Sequence, residues 1–238
     1  MKSTVYKGSL KAWKEAIPVK DIKKIKLTNN TQADRREKRE ILNFRDIGDI
    51  KDKSRIFHIV GAALYLAVQE VTEDSNVCIA HMLGQRNLPM KRNVNEIVGC
   101  FVDDIPIYIN VDSNKEYSEI INEFKKKFSK FSSISSSYGV LASKGKLPDV
   151  YKLCNVRLNY QPYRLNELGF NAWSTDLHVA PNLPHKYVYN CIVQELEDGL
   201  RFEVRYSGKH MKTEEVQGFI DRWISLIKKI YIESSEEL

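Results

Sequence analysis

The chain has 238 residues, of which 42% are apolar and 29% charged, and it carries a formal net charge of +6. These are the proportions of a soluble globular protein with a substantial core, in one large domain or two small ones. No apolar run approaches the length of a membrane span: the longest, Ile56 to Val71, is interrupted by His58 and Gln69.

The N-terminus, Met1 to Lys7, lacks the apolar core of a signal peptide, so a cytoplasmic protein is expected, with no membrane partner. Ser9 to Ile17 reads as a short helix ended before Pro18. Lys20 to Lys38 is polar and loop-like, and Arg39 to Ile47 is assigned as a strand. Ile56 to Val71 reads as a helix apolar on nearly every face, and therefore buried between layers. Asn76 to Met82 is a strand. Val98 to Val111 is a longer one, expected to break near Asp103 or Pro106. Ser113 with Glu116 reads as a capping box for a helix whose face carries Tyr117, Ile120, Ile121, Phe124, Phe128 and Phe131. The serine-rich Ser132 to Ser137 reads as the loop that ends it.

The last third is strand-rich: Leu153 to Tyr160, Ala172 to Val179, Tyr187 to Leu196 and Leu200 to Tyr206. Glu197-Asp198-Gly199 is a hairpin signal between the last two. Thr213 is expected to cap a final helix, with Val216, Phe219, Ile220, Trp223, Ile224 and Ile227 as its apolar stripe. Strands mixed with helices, including an antiparallel hairpin, predict an α/β fold in which a mixed sheet packs against helices.

Four cysteines at 78, 100, 154 and 191 each lie in an apolar run and make no C-x-x-C, so neither a disulfide framework nor a metal site is expected. The basic clusters Arg35 to Arg39 and Lys125 to Lys127 read as solvated surface or as attraction to an acidic partner. No helix-turn-helix, finger or aromatic RNA-binding signature points to nucleic acid.

The run Val98-Gly99-Cys100-Phe101-Val102-Asp103-Asp104-Ile105-Pro106-Ile107 resembles the "VGxFVNTLPLR" stretch of condensation domains of nonribosomal peptide synthetases. Gly84-Gln85-Arg86-Asn87 is similar to that family's "GRN", with one extra residue. Ala12-Trp13-Lys14-Glu15 resembles its "YWxxxL" helix, Arg157 to Gln161 its "FNYQ" strand, and Gly199 to Tyr206 its "GLxxxxxY" strand. The resemblance runs in order from about residue 10 to about residue 231.

The resemblance implies a single unit over residues 1–238, one lobe of a chloramphenicol-acetyltransferase-like pair, namely the C-terminal half of the condensation domain. The family's His-His-x-x-x-Asp-Gly signature belongs to the other half. Here the five histidines, His58, His81, His178, His185 and His210, include no adjacent pair. The implied role is therefore part of a tunnel for carrier-bound acyl or aminoacyl thioesters in amide bond formation, with no catalytic residue of its own. The implied partners are an N-terminal lobe and an acidic carrier protein bearing phosphopantetheine, with no cofactor held directly.

Asp103 and Asp104 replace the family's Asn-Thr pair. With Asn159, Tyr160 and Gln161 they are candidates for the tunnel or lobe interface. For Asp103 the competing reading is a surface carboxylate paired with Arg86; for the Asn159 to Gln161 segment it is ordinary strand termination before Pro162. Gly84, Arg86, Asn87 and Gly99 are assigned to loop structure. The alternative function is a non-catalytic module that docks on carrier proteins or a synthetase. A self-sufficient acyltransferase built on His81 or His178 is the third reading.

Overall fold

In a computed structural model of the chain, the structure describes residues 4–22, 34–47, 55–84, 102–112, 114–162 and 186–236. Six strands form one mixed sheet: β1 (Arg35–Asn43), β2 (Asn76–Gly84), β3 (Val102–Asn110), β4 (Val156–Gln161), β5 (Tyr189–Glu195) and β6 (Gly199–Ser207). Their order is β1-β6-β5-β4-β2-β3. β2 and β5 run parallel to β4, and the remaining neighbours are antiparallel. The predicted hairpin joins β5 to β6, its turn closed by Leu196 N–H donating to the Gly199 carbonyl at 2.8 Å. The helices are α1 (Thr4–Ala16), α2 (Ile56–Thr72), α3 (Tyr117–Ser132), α4 (Ser136–Ser143), α5 (Val150–Leu153) and α6 (Thr213–Glu236).

Strand side chains alternate between faces, and the aromatic contacts show which face α2, α3 and α6 cover. On β2, His81 meets Tyr65 of α2 and Phe124 and Phe128 of α3. On β5, Tyr189 stacks on Phe219 of α6 at 4.4 Å, and on β6, Phe202 meets Trp223 of α6 edge-on at 5.0 Å. As its composition predicts, α2 is buried on most sides, lying against both α3 and α6. Gly61 lets α3 come close, since a Cβ there would fall 2.2 Å from the Phe124 ring.

Several boundaries differ from the sequence reading. β1 begins at Arg35, inside the stretch read as loop, and ends at Asn43, where a 3-10 turn, Phe44–Ile47, takes over. Its charged side chains are tolerated because β1 is an edge strand that leaves much of its length exposed. β3 does not break: it runs unbroken through Asp103 and Pro106. As the other edge strand, it can hold a proline whose missing N–H would have pointed away from β2. The capping box lies one turn later than expected, with Glu116 as N-cap and Glu119 reaching back to the Glu116 N–H at 3.0 Å.

The serine run does not end as loop. α4 starts inside it and buries Ser137, Tyr138 and Leu141, while Trp13 of α1 donates to Ser137 Oγ at 3.0 Å and stacks on Phe131. Leu153 belongs to α5 rather than to β4. Thr213 is the first residue of α6, not its cap; the preceding Lys212 N–H is accepted by Glu215 at 2.8 Å. Ile224 is only half-buried, and Leu226 and Ile230 complete the stripe. The strand assigned to Ala172 to Val179 lies outside the described residues, as do Arg86, Asn87, Gly99, Cys100, His178 and His185.

Candidate functional site

Register and alternation divide the candidate residues between the two faces of the sheet. Asp104 pairs with Met82, and Arg157 pairs with Ala80. Asp104, Arg157, Asn159 and Gln161 therefore share the face opposite α2, α3 and α6. That face continues across β5 and β6 with Asn190, Gln194, Glu203 and Arg205. Asp103 and Tyr160 have the other parity. Tyr160 packs edge-on against Phe57 of α2 at 5.0 Å and donates its hydroxyl to Glu195 at 2.5 Å. Burial first, then the Glu195 carboxylate, pushes the Tyr160 phenol far above its usual range. Tyr160 is thus part of the packed side, not of the polar face that Asn159 and Gln161 share.

The polar face is organised around one ion pair. Arg157 Nε donates to both carboxylate oxygens of Asp104, at 2.8 and 3.0 Å, and the Tyr187 hydroxyl donates to Oδ2 at 3.0 Å. Arg157 Nη1 also reaches Asn190 Oδ1 at 3.4 Å, so the cluster spans β3, β4 and β5. Further along the face, Glu203 accepts from Arg39 at 3.2 Å and also from Arg205. Burial first, and the Asp104 charge next, holds the Tyr187 phenol well above its usual range. Neither Arg157 nor Tyr187 is among the site residues that the sequence suggests. A signal for Arg157 exists all the same, since Arg157, Asn159 and Gln161 are polar at every second position.

Asp103 serves the backbone. Its Oδ1 accepts the Asp104 N–H at 2.9 Å, and the Gly139 N–H of α4 also donates to its carboxylate. Burial raises its carboxyl above the ordinary carboxylate value. Gly139 makes this contact possible, because a Cβ there would fall 2.4 Å from Asp103 Oδ2. Gly84 is the last residue of β2, opposite Val102, and a methyl group there would meet nothing within 4 Å.

His81 is 2% exposed. Tyr65 has one hydroxyl proton, given to the Ile107 carbonyl at 2.9 Å, so His81 Nε2, 3.1 Å away, is the donor in their contact. Burial lowers the imidazole pKa to about 3. The ring is thus held neutral, with Nε2 committed to the Tyr65 hydroxyl inside an aromatic cluster. Among the described residues no three His, Cys, Asp or Glu side chains converge as metal ligands would. No described helix is long and apolar enough to cross a membrane.

What these groups do chemically is hold one another. Asp104 accepts from the side chains of Arg157 and Tyr187, and Asp103 from the backbone N–H groups of Asp104 and Gly139. Arg157→Ala is expected to lower stability by about 1–3 kcal/mol, since it leaves the largely buried Asp104 with Tyr187 alone. A double-mutant cycle with Asp104→Asn, followed by urea unfolding, checks it. A coupling under about 0.3 kcal/mol would place the pair with solvent-screened surface bridges.

The family model for the condensation domain matches residues 51–238. The chain belongs to the condensation domain family. A search of curated protein sequences found no match. Among solved structures, the fold is similar to the epimerization domain from the third module of tyrocidine synthetase B, with a TM-score of 0.73 and 13% identity, covering 95% of this chain and 55% of that one. It is similar to the first condensation domain of the calcium-dependent antibiotic synthetase in complex with a substrate analogue, with a TM-score of 0.70 and 11% identity, covering 97% and 52%. A mutant starter condensation domain of rhizomide synthetase, in complex with C8-CoA and Leu-SNAC, gives a TM-score of 0.65 and 15% identity, covering 97% and 53%. At these identities the likeness shows a shared condensation-domain fold. The chain spans about half the length of each of these structures.

Proposed function

We propose that this chain is the C-terminal lobe of a chloramphenicol-acetyltransferase-like pair. In this reading residues 1–238 act as a single unit and provide one wall of a chamber in which an amine attacks a carrier-bound thioester. The observation that carries this reading is the match of nearly the whole chain to about half of each related structure. The motifs follow the order of the family's second half, and the 238 residues contain no adjacent histidine pair. The reactive imidazole then comes from an N-terminal lobe. The thioester arrives on the phosphopantetheine arm of an acidic carrier protein. The CoA ligand bound by the rhizomide domain carries the same pantetheine chemistry and supports that choice. In this assignment Asp104, Asn159 and Gln161 form the wall, with Arg157 fixing Asp104, while Asp103 and Tyr160 hold the strand ends from behind.

A second reading, docking on a carrier protein without catalysis, is favoured by a cleft of about 580 Å³ between α1, α3 and the β3 edge. Lys126 and Lys130 line it and have no acidic partner among the described residues.

One experiment separates the two. The chain is mixed with a histidine-motif N-terminal lobe, a carrier-bound acyl thioester and an acceptor amine. Amide is expected only when both lobes are present. Tight carrier binding at low salt, with no amide formed under any pairing, supports docking and counts against the wall.

A further inference from the structure

We infer that Cys78 and Cys154 form an oxidation-dependent crosslink that staples β2 to the segment entering β4. Their Sγ atoms lie 3.5 Å apart, about van der Waals contact for two sulfurs, and both are buried thiols. Cys78 lies within β2 on the polar face, and Cys154 immediately follows α5, which covers that end of the sheet. The two strands run side by side in parallel, with Ile79 opposite Val156. Cys154 lies two residues before β4 begins, and the bond requires the sulfurs to close from 3.5 Å to about 2.05 Å by rotation of the two side chains.

A peroxide is the oxidant that suits so enclosed a pair, being small. One thiol is oxidised to a sulfenic acid while the peroxide O–O bond breaks and releases water. The second sulfur then attacks the first, the S–O bond breaks, and a second water leaves. Overall two thiols lose two electrons to one peroxide. Burial makes the first step wait on local opening, so the reaction is slow and the product protected. The bond closes a loop between residues 76 apart in sequence, which constrains the unfolded chain strongly. It also fastens β4, which carries Arg157, to β2, the strand that the Asp104–Arg157 pair bridges. Such a crosslink requires nothing of the proposed function.

The test uses the whole chain, treated with hydrogen peroxide under native conditions, then unfolded, alkylated and mapped by peptide mass spectrometry. Two of the four cysteines should escape alkylation until dithiothreitol is added, in a linked peptide pair containing Cys78 and Cys154. The link should vanish in Cys78→Ser and in Cys154→Ser, and persist in Cys100→Ser and Cys191→Ser. The oxidised wild type should melt about 5–10 °C higher than the reduced one. Four alkylatable thiols after treatment, sulfinic acid without a link, or a link through Cys100 or Cys191 would each overturn the inference. Because the mapping is read on the wild type, it stands even where a serine variant fails to fold.

Discussion

Replacing Trp223 with alanine should lower the free energy of unfolding by about 3–5 kcal/mol, and the melting temperature by roughly 10 °C. The side chain is fully buried. It joins three elements of the packed side: its ring meets Phe202 of β6, it lies beside Phe219 on its own helix, and its Nε1–H donates to the Val60 carbonyl of α2 at 3.0 Å. Truncation removes the apolar volume and also the bond that fixes α6 on α2. Trp223→Phe retains most of the volume and loses only the donor, so a smaller loss of about 1–2 kcal/mol is expected. Chemical denaturation of both variants checks the ordering. A Trp223→Ala loss under about 1 kcal/mol would mean that α6 is not clamped by this residue.

Acid should weaken the fold through His81 before it reaches most carboxylates. In the folded chain burial holds the imidazole near pKa 3, against 6.5 when exposed. Below pH 6.5 the unfolded chain therefore takes up a proton that the folded chain refuses. Stability falls as pH drops from 6.5 toward 3, by up to about 1.4 kcal/mol per pH unit and by ~4 kcal/mol in all. His81→Gln keeps a donor for Tyr65 and cannot titrate. Between pH 6.5 and 5 the wild type should lose stability more steeply than this variant, with the other histidines cancelling in the comparison. Parallel slopes would show that His81 is hydrated or already protonated.

Glu123 also loses its contribution in acid, although here it is the charged form that the fold favours. Burial alone would raise its carboxyl, but the hydrogen bonds from Lys127 and Lys115 outweigh burial and hold it below its ordinary value. That stabilisation is present above the unfolded carboxylate pKa and fades as pH falls through the folded one. The two losses therefore begin at different pH, the histidine's first, and overlap once pH falls below the ordinary carboxylate value.

Elements with an uninterrupted period are legible in the sequence itself. The apolar stripes of α3 and α6, the all-round apolar α2 and the β5–β6 hairpin fall where their residues predict. Local signals fail where a distant partner decides the outcome. Arg35 to Lys38 reads as loop by charge, yet becomes strand because β6 offers backbone to pair with. Ser136 and Ser137 read as loop, yet become helix because Tyr138 and Leu141 have a core to enter. Pro106 reads as a break, and only the strand order shows that it lies on an edge. At the site, simple alternation already separates Tyr160 from Asn159 and Gln161. The bond from Arg157 to Asp104 crosses 53 residues of sequence and that from Tyr187 to Asp104 crosses 83, and no local pattern encodes either.

The outer margin of β3 is occupied by its own chain. Lys127 donates to the Tyr108 carbonyl and Lys115 to the Asn110 carbonyl, both at 2.8 Å, and Glu123 holds the two ammonium groups between them. Pro106 offers no hydrogen there, and Asp103 has already taken the Asp104 N–H. A foreign strand seeking to lengthen the sheet on this side would have to evict two cations and find its own donors without acceptors. Fibril-like stacking through this border is thereby discouraged by side chains that are close in space and dispersed in sequence.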